Sequence, residues 1–352
     1  MRGSCLTGSF MTDHLGKTLT IFPIAQDLRY AVPAADPEDV LALLHDRHDR
    51  DPHTLAVVAD DGEKFGLWPE SSERVYAPGN WLDEFFTLIE KADWLQTTTF
   101  GEYLDDHPAQ RRVAIPPASY REMGEWSLPT GTAQVVNPPG LEDGQYMDWV
   151  RMEAFMHGGW WPNFLIEYPE AATLYRKMLR VSSHIATGKG PSEAHTELLK
   201  AQGNDPYWHG VFGGLYFPHL RAQTNHHLIT AQTLIDAHHH RGRSWTYLRP
   251  VDWDADGRDE IEIQLPDQSW VLDPYEGGSL LHFDDKPARW AISDVVGRQY
   301  EPYHADLPDP PVYDHHPRRW LIDHLLPATT TVESFAAVTY HEVLPLPDTE
   351  YV

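Results

Sequence analysis

The apolar run Thr54-Leu55-Ala56-Val57-Val58-Ala59 stops at Asp60-Asp61-Gly62-Glu63-Lys64-Phe65-Gly66-Leu67-Trp68-Pro69, and no other stretch constrains the chain as much. A short aliphatic run bounded by turn residues predicts a strand buried on both faces, as in a parallel α/β sheet. In such sheets the C-terminal ends of the strands hold the chemistry. Two adjacent carboxylates sit at that end here. Side chains alternate along a strand, so Asp60 and Asp61 cannot both face one site. One reaches into a pocket, and the other is held by a backbone or lysine partner. Gly62 and Gly66 are expected to let the backbone turn sharply, with Trp68 offering a flat apolar face beside the acids. Carboxylates that read hydroxyls, next to a ring that stacks on a sugar face, suit a carbohydrate site. An acidic turn after a strand is the plainer reading of the same residues.

The flanking sequence fits an α/β unit. Residues 17–24 read as a strand closed by Pro23. Asp36-Pro37 reads as a helix start, with Asp36 as N-cap and Pro37 at the first helical position. A second helix fits residues 81–91, with Leu82, Phe85, Phe86 and Ile89 on one face, and Phe100-Gly101-Glu102-Tyr103-Leu104 opens a short element. Strand–helix alternation of this kind is an α/β pattern, with too few strands to close a barrel alone. Two further stretches stand out. Pro116 to Pro129 packs acids, Tyr120 and Trp126 between prolines. After the linker Asn137-Pro138-Pro139-Gly140, a helical region opens with residues 147–156, and a helix follows through Leu174, Met178 and Leu179. It leads to Gln202-Gly203-Asn204-Asp205-Pro206-Tyr207-Trp208-His209-Gly210-Val211-Phe212-Gly213-Gly214-Leu215-Tyr216. Asp205, Trp208 and His209 are spaced to share one face of a helix starting near Asp205; Asp205-Pro206 is equally a plain helix cap. From Trp245 the pattern changes to period two, clearest in Glu260-Ile261-Glu262-Ile263-Gln264-Leu265, which predicts an all-β domain, a sandwich. Asp252, Asp254 and Asp256, followed by Gly257, resemble a calcium loop, although Ile263 stands where an EF-hand has its final Glu; an acidic hairpin turn is the other reading.

Composition limits the partners. A formal charge of −26 argues against nucleic acid and anionic membranes. No apolar run reaches ~18 residues, so no membrane span is expected. A single cysteine, Cys5, allows no internal disulfide and points to a reducing, cytoplasmic setting. Thirteen Trp and 16 Tyr exceed what a core requires, which favours ring-stacking ligands. The clusters His226-His227, His238 to His240 and His315-His316 lack the spacing of a metal site and read as solvated or capping groups.

Together, Asp-Asp-Gly-Glu-Lys-Phe-Gly-Leu-Trp-Pro, Tyr-Arg-Glu-Met-Gly-Glu-Trp-Ser-Leu-Pro and Asn-Asp-Pro-Tyr-Trp-His-Gly-Val-Phe-Gly-Gly-Leu-Tyr resemble glycoside hydrolase family 57, in its α-amylase and 4-α-glucanotransferase branch. The resemblance runs from about Thr12 onward. It implies a mixed fold, α/β then all-α then all-β: part of a (β/α)7 catalytic barrel at 1–145, a helical domain completing the site at 146–244, and a β-sandwich at 245–352. It implies Asp61 as catalytic acid/base, with burial against Trp68 raising its pKa. Glu63, Trp68, Asp205, Trp208 and His209 would hold an α-glucan or maltooligosaccharide, and no cofactor is required beyond a possible structural calcium. Gly203 stands where the family often has Cys, a matter of packing. The family's His-rich first strand and nucleophilic Glu have no counterpart ahead of Asp60, where Glu38 is the only Glu and sits at a helix start. A retaining glycosidase needs two carboxyls about 5–5.5 Å apart, so the chain is expected to be a C-terminal portion lacking the nucleophile, with a sandwich that stops early and a complementing N-terminal barrel fragment as partner. The alternative is a non-catalytic glucan-binding or assembly fragment.

Overall fold

The computed structural model describes residues 7–109, 111–117, 119, 121–128, 159–188, 190–209, 213–301, 303–304, 307–309 and 311–342. The expected linker at 137–140 and the helix opening at 147–156 lie outside them. The chain divides into two compact units, Met1–Pro116 and Pro117–Val352.

In the first unit β1 (Phe10–His14) and β2 (Lys17–Ile21) form an antiparallel hairpin. Its turn residues, Leu15 and Gly16, both have positive φ, 49° and 79°, the geometry that matches the twist of the flanking strands. A short β3 (Arg111–Arg112) pairs in parallel with β1, giving the order β2-β1-β3. The helices are α1 (Gln26–Ala31), α2 (Pro37–Arg50), α3 (Ser71–Tyr76), α4 (Trp81–Lys91) and α5 (Phe100–Asp106). Helix α2 starts at Pro37, where the missing N–H costs no helical bond. The Asp36 carboxylate does not cap it; it accepts from Arg74 at 3.3 Å. The core joins Leu28, Val32 and Val40 to Trp81, Leu82 and Phe85 of α4. The Trp81 indole N–H donates to the Ala35 carbonyl at 2.6 Å. Phe86, expected on the same face, is exposed.

Residues 54–59 correct the sequence reading: they form no strand. Their segment accepts one bond from the turn before α1, Ala25 N–H to Val57 O at 2.8 Å, and packs Ala56 into the core. Val58 is exposed. An apolar run becomes a buried strand only when neighbouring strands pair with its backbone on both sides, and no such ladder exists among the described residues.

The second unit holds α6 (Arg121–Trp126), α7 (Trp161–Glu167), α8 (Pro169–Ala186), α9 (Ser192–Ala201) and α10 (Pro218–His240). Pro169 separates α7 from α8, because a proline pushes the residue before it out of helical conformation. Helices α8, α9 and α10 share a core of Leu174, Val181, Ala194, Leu198, Leu228 and Ile235. Strands β4 (Tyr247–Val251), β5 (Glu260–Gln264), β6 (Gln268–Asp273), β7 (Ser279–Asp285) and β8 (Trp290–Ala291) follow as one antiparallel sheet in chain order, and α11 (Val332–Ala336) comes last. This is the only sheet of the unit among the described residues.

The alternation of β5 is real, but its polarity is unexpected. The buried face carries Glu260, Glu262, Ser269, Val271, Asp273, His282 and Asp284. Ile261, Ile263, Trp270, Leu272 and Phe283 line the other, half-buried face. Buried carboxylates persist only when paired. Here Glu262 takes Arg249 at 2.6 Å and Asp284 takes Lys177 of α8 at 2.9 Å.

Candidate functional site

In the first unit the acidic turn is built around Asp60, whose side chain is only 2% exposed. Lys64 Nζ lies 2.8 and 2.7 Å from its two oxygens, Arg29 Nε of α1 donates to Oδ1 at 3.1 Å, and the Asp61 amide donates to Oδ1 at 2.9 Å. Burial alone would raise this carboxyl, but the Lys64 ammonium, the Asp61 amide and Arg29 outweigh it and hold it below the ordinary range. Asp60 is therefore the held acid of the pair. Asp61 begins the 3₁₀ turn Gly62–Lys64 without using its side chain as a cap. Its carboxylate is 47% exposed, with Arg29 Nη2 at 3.5 Å from Oδ2. The burial against Trp68 expected from sequence is absent within this unit. Glu63 is exposed. The Trp68 ring is 50% exposed, with Lys64 Nζ 5.7 Å from its centroid. Trp68 is placed by its amide donating to Glu63 O at 3.1 Å and by its carbonyl accepting from Ser71 Oγ at 2.6 Å. Of the two glycines, only Gly66 uses left-handed backbone, at φ 112°; a Cβ there would lie 2.9 Å from the Tyr76 ring.

In the second unit the Asp205–Tyr207 segment is a single 3₁₀ turn, and Trp208 is already extended at φ −153°, ψ 175°. The helix expected through His209 does not form. The chain is instead pulled into a tight return in which Leu215 N–H donates to Trp208 O at 2.9 Å. Gly214 passes so close that a Cβ would stand 2.3 Å from that same oxygen. Asp205 stays exposed. The Trp208 ring stacks on Trp126 of α6, centroids 5.3 Å apart and planes 12° from parallel.

His209 is 3% exposed and faces protein. Its Nε2 lies 3.1 Å from Tyr303 Oη and 3.8 Å from Glu301 Oε2. Burial pushes the imidazole below its ordinary value, against the pull of Glu301. Glu301 accepts from Tyr168 Oη at 2.9 and 3.1 Å and from Tyr216 Oη at 2.7 Å. Nearby Glu167 is pushed up to about 7 by burial and by the charge of Glu301. Sequence reasoning missed Arg29, Tyr168, Glu167, Glu301 and Tyr303. They lie far from the three stretches in sequence and meet them only through folding; Tyr216, at the edge of the third stretch, carried no signal of its bond to Glu301.

Asp252, Asp254 and Asp256 each bring one carboxylate oxygen within 4.8 Å of the others. The same carboxylates accept loop amides: Asp252 from Asp256 and Gly257, Asp254 from Asp256, and Asp256 from Arg258. A second set, unforeseen in the sequence, joins Asp254 to the buried Glu260 and Asp273. Burial first, then its acidic neighbours, push Glu260 up to about 7 although the Trp253 amide donates to it at 2.6 Å. Crowded oxygens of this kind match what hard cations such as calcium prefer.

Comparison with known proteins gives three matches in chain order: glycosyl hydrolase family 57 over residues 8–116, the α-amylase/4-α-glucanotransferase middle domain over 159–235, and the corresponding C-terminal domain over 252–312. The chain is 34% identical over 360 residues to a 4-α-glucanotransferase of Thermococcus kodakarensis, covering 95% of this chain and 53% of that protein. It is 35% identical over 363 residues to an α-amylase of Pyrococcus furiosus, covering 97% and 54%. The crystal structure of the 4-α-glucanotransferase from Thermococcus litoralis matches with a TM-score of 0.83 and 34% identity over 98% of this chain and 53% of that one. The chain thus spans about half the length of the curated relatives it matches. With the three segments matched in order, and the acid pair and aromatic residues placed on them, the chain belongs to glycoside hydrolase family 57.

Proposed function

We propose that this chain is the acid/base-bearing, α-glucan-binding portion of a retaining glycoside hydrolase or 4-α-glucanotransferase. The observation that carries the reading is the division of labour at Asp60-Asp61. One carboxylate is locked by two cations, and the next is held half exposed beside the same Arg29, seven residues before an open Trp68 ring. Asp61 protonates the departing glycosidic oxygen and then deprotonates the acceptor, water in a hydrolase or a glucan hydroxyl in a transferase. Glu63, Trp68, Asp205, Trp208 and His209 form or support the sugar contacts. The nucleophilic carboxylate comes from a complementing barrel segment outside these residues. The exposed Leu19, Ile24, Val58 and Ile115, and the absence of a strand ladder along 54–59 among the described residues, support this, since exposed apolar surface calls for cover. In this reading the first 145 residues belong to a (β/α)7 barrel, 146–244 to a helical domain, and 245–352 to a β-sandwich whose second sheet covers the half-buried Ile261, Ile263 and Trp270 face. The protein works in a reducing compartment, the cytoplasm.

The second reading, glucan binding or assembly without turnover, is favoured by Glu38. The one Glu ahead of Asp60 lies exposed in the first turn of α2. Chromatography of maltoheptaose digests separates the two. With the complementing segment present, shorter or redistributed products are expected, and Asp61→Asn lowers turnover by about 10²–10⁴. Turnover unchanged in that variant overturns the assignment of Asp61, and binding without turnover under every condition leaves the second reading. Calcium on Asp252, Asp254 and Asp256 acts structurally. Chelation is expected to lower the melting temperature and calcium to restore it, and a melting curve indifferent to both removes the ion from the account.

A further inference from the structure

We infer that the second unit carries an additional ligand site, for a neutral polyhydroxylated molecule of one or two sugar rings, in the cavity between α8, α10 and the polar face of the sheet. It uses none of Asp61, Trp68, Asp205, Trp208 or His209, so it stands whether or not the catalytic reading holds.

The cavity measures about 400 Å³, within the range of small-molecule sites, roughly 300–1,000 Å³. Its wall is the face of the sheet that carries Glu262, Ser269 and Asp284, roofed by Lys177, Arg180 and His184 of α8 and by Gln232, Asp236 and His240 of α10. The lining charges are wired in pairs. Asp236 holds Lys286 at 2.8 Å, Glu262 holds Arg249 at 2.6 Å, and Asp284 holds Lys177 at 2.9 Å. His184 Nδ1 meets Gln232 Oε1 at 3.2 Å, and Gln232 Nε2 donates to Asp236 at 2.8 Å. Such a network fixes the shape of the cavity before any ligand enters.

Three of the lining residues each keep one buried polar atom without a partner: the N–H donors Arg180 Nε and Trp253 Nε1, and the acceptor Gln264 Oε1. Arg180 is otherwise held, with Nη2 on Asp252 O at 2.9 Å and its guanidinium 4.3 Å above the Trp253 ring. Buried polar atoms left unmatched are costly, and three of them on the residues around one cavity call for an occupant. Two donors and one acceptor ask for a molecule that both accepts and donates. A hydroxyl does both. Inorganic phosphate would satisfy Arg180 and Trp253, but it would set its lone pairs against Gln264 Oε1 and the carboxylates of Glu262 and Asp284. The exposed Tyr247, with the Arg249 guanidinium 5.1 Å from one face, and Trp245, stacked on His240, add aromatic surface to the lining.

Hydrogen–deuterium exchange of the whole chain with millimolar maltose tests this. Slower exchange is expected around Arg180, in β4 and β5, and at Trp253. Gln264→Leu, which removes the open acceptor at nearly constant volume, weakens that protection about tenfold in apparent affinity. Tyr247→Ala, at an exposed position, does the same without risk to the fold, and protection near Trp68 is unchanged in both. Protection absent in the folded wild type, protection undiminished in the two variants, or protection by phosphate in place of maltose would each overturn the proposal. So would a maltose-soaked crystal in which water alone joins Arg180 Nε and Trp253 Nε1.

Discussion

Adjacent Asp60 and Asp61 have identical side chains and different fates, and the difference comes from neighbours. Asp60 collects Lys64, Arg29 and an amide; Asp61 keeps one long contact to Arg29 and open solvent. That one of the two is held was read from the sequence on the premise of a strand; the split stands although residues 54–59 form no strand, because Lys64 lies one turn from Asp60 and collects it. Arg29 as the second holder was not, since it lies in α1, and Lys64, one turn away, was the only local cation. Glu167 offers a test at the same scale. Its folded carboxyl is raised from 4.5 to about 7 by burial and by Glu301. A raised acid is fully compatible with folding below its unfolded value and costs stability as pH rises through its folded one. Wild type should therefore lose stability relative to Glu167→Gln between pH 4.5 and about 7, with a constant gap on either side. Urea midpoints of the two proteins across that window check it, and a gap independent of pH contradicts the assignment.

Elements were read best where local chemistry decides them. Helix α2 starts at Pro37 and α4 spans Trp81–Lys91, because proline at the first position and an apolar stripe act without long-range help. The readings that failed depended on partners. Residues 54–59 have the composition of a buried strand and lack its neighbours. Strand β5 has the period of a half-buried strand, but its glutamates turn inward, where Glu262 pairs with Arg249 of β4 and Glu260 accepts the Trp253 amide. The Asp205 stretch has helical spacing, yet Gly213 and Gly214 fold it back, with φ values of 93° and 35°. Gly214→Ala tests that element. The added Cβ meets the Trp208 carbonyl at 2.3 Å, so the turn must open at a cost of about 1–3 kcal/mol. The stacked Trp126–Trp208 pair should separate, which tryptophan fluorescence reads directly. Wild-type stability and fluorescence in this variant would mean that the turn does not set the stack.

At the scale of the whole molecule, the chain carries a net charge of −26, while the buried carboxylates of Asp60, Glu262 and Asp284 are each paired with a cation. A net charge of this sign repels polyanions and leaves neutral glucans unaffected. No helix among the described residues is long and apolar enough to cross a membrane. Family membership was legible because three motifs occur in the right order; the Glu301 network, and the cavity between α8, α10 and the sheet, were not, because residues distant in sequence meet there only in the fold. The central claim is that Asp61 is the acid/base of a retaining reaction, and azide rescue tests it most directly. In the complete assembly, Asp61→Ala should lose activity on maltooligosaccharides yet retain it on an aryl maltoside, whose leaving group needs no proton. Added azide, a nucleophile that needs no general base, should then restore turnover and yield a glycosyl azide of retained configuration. Equal losses on both substrates, with no azide product, would contradict the account.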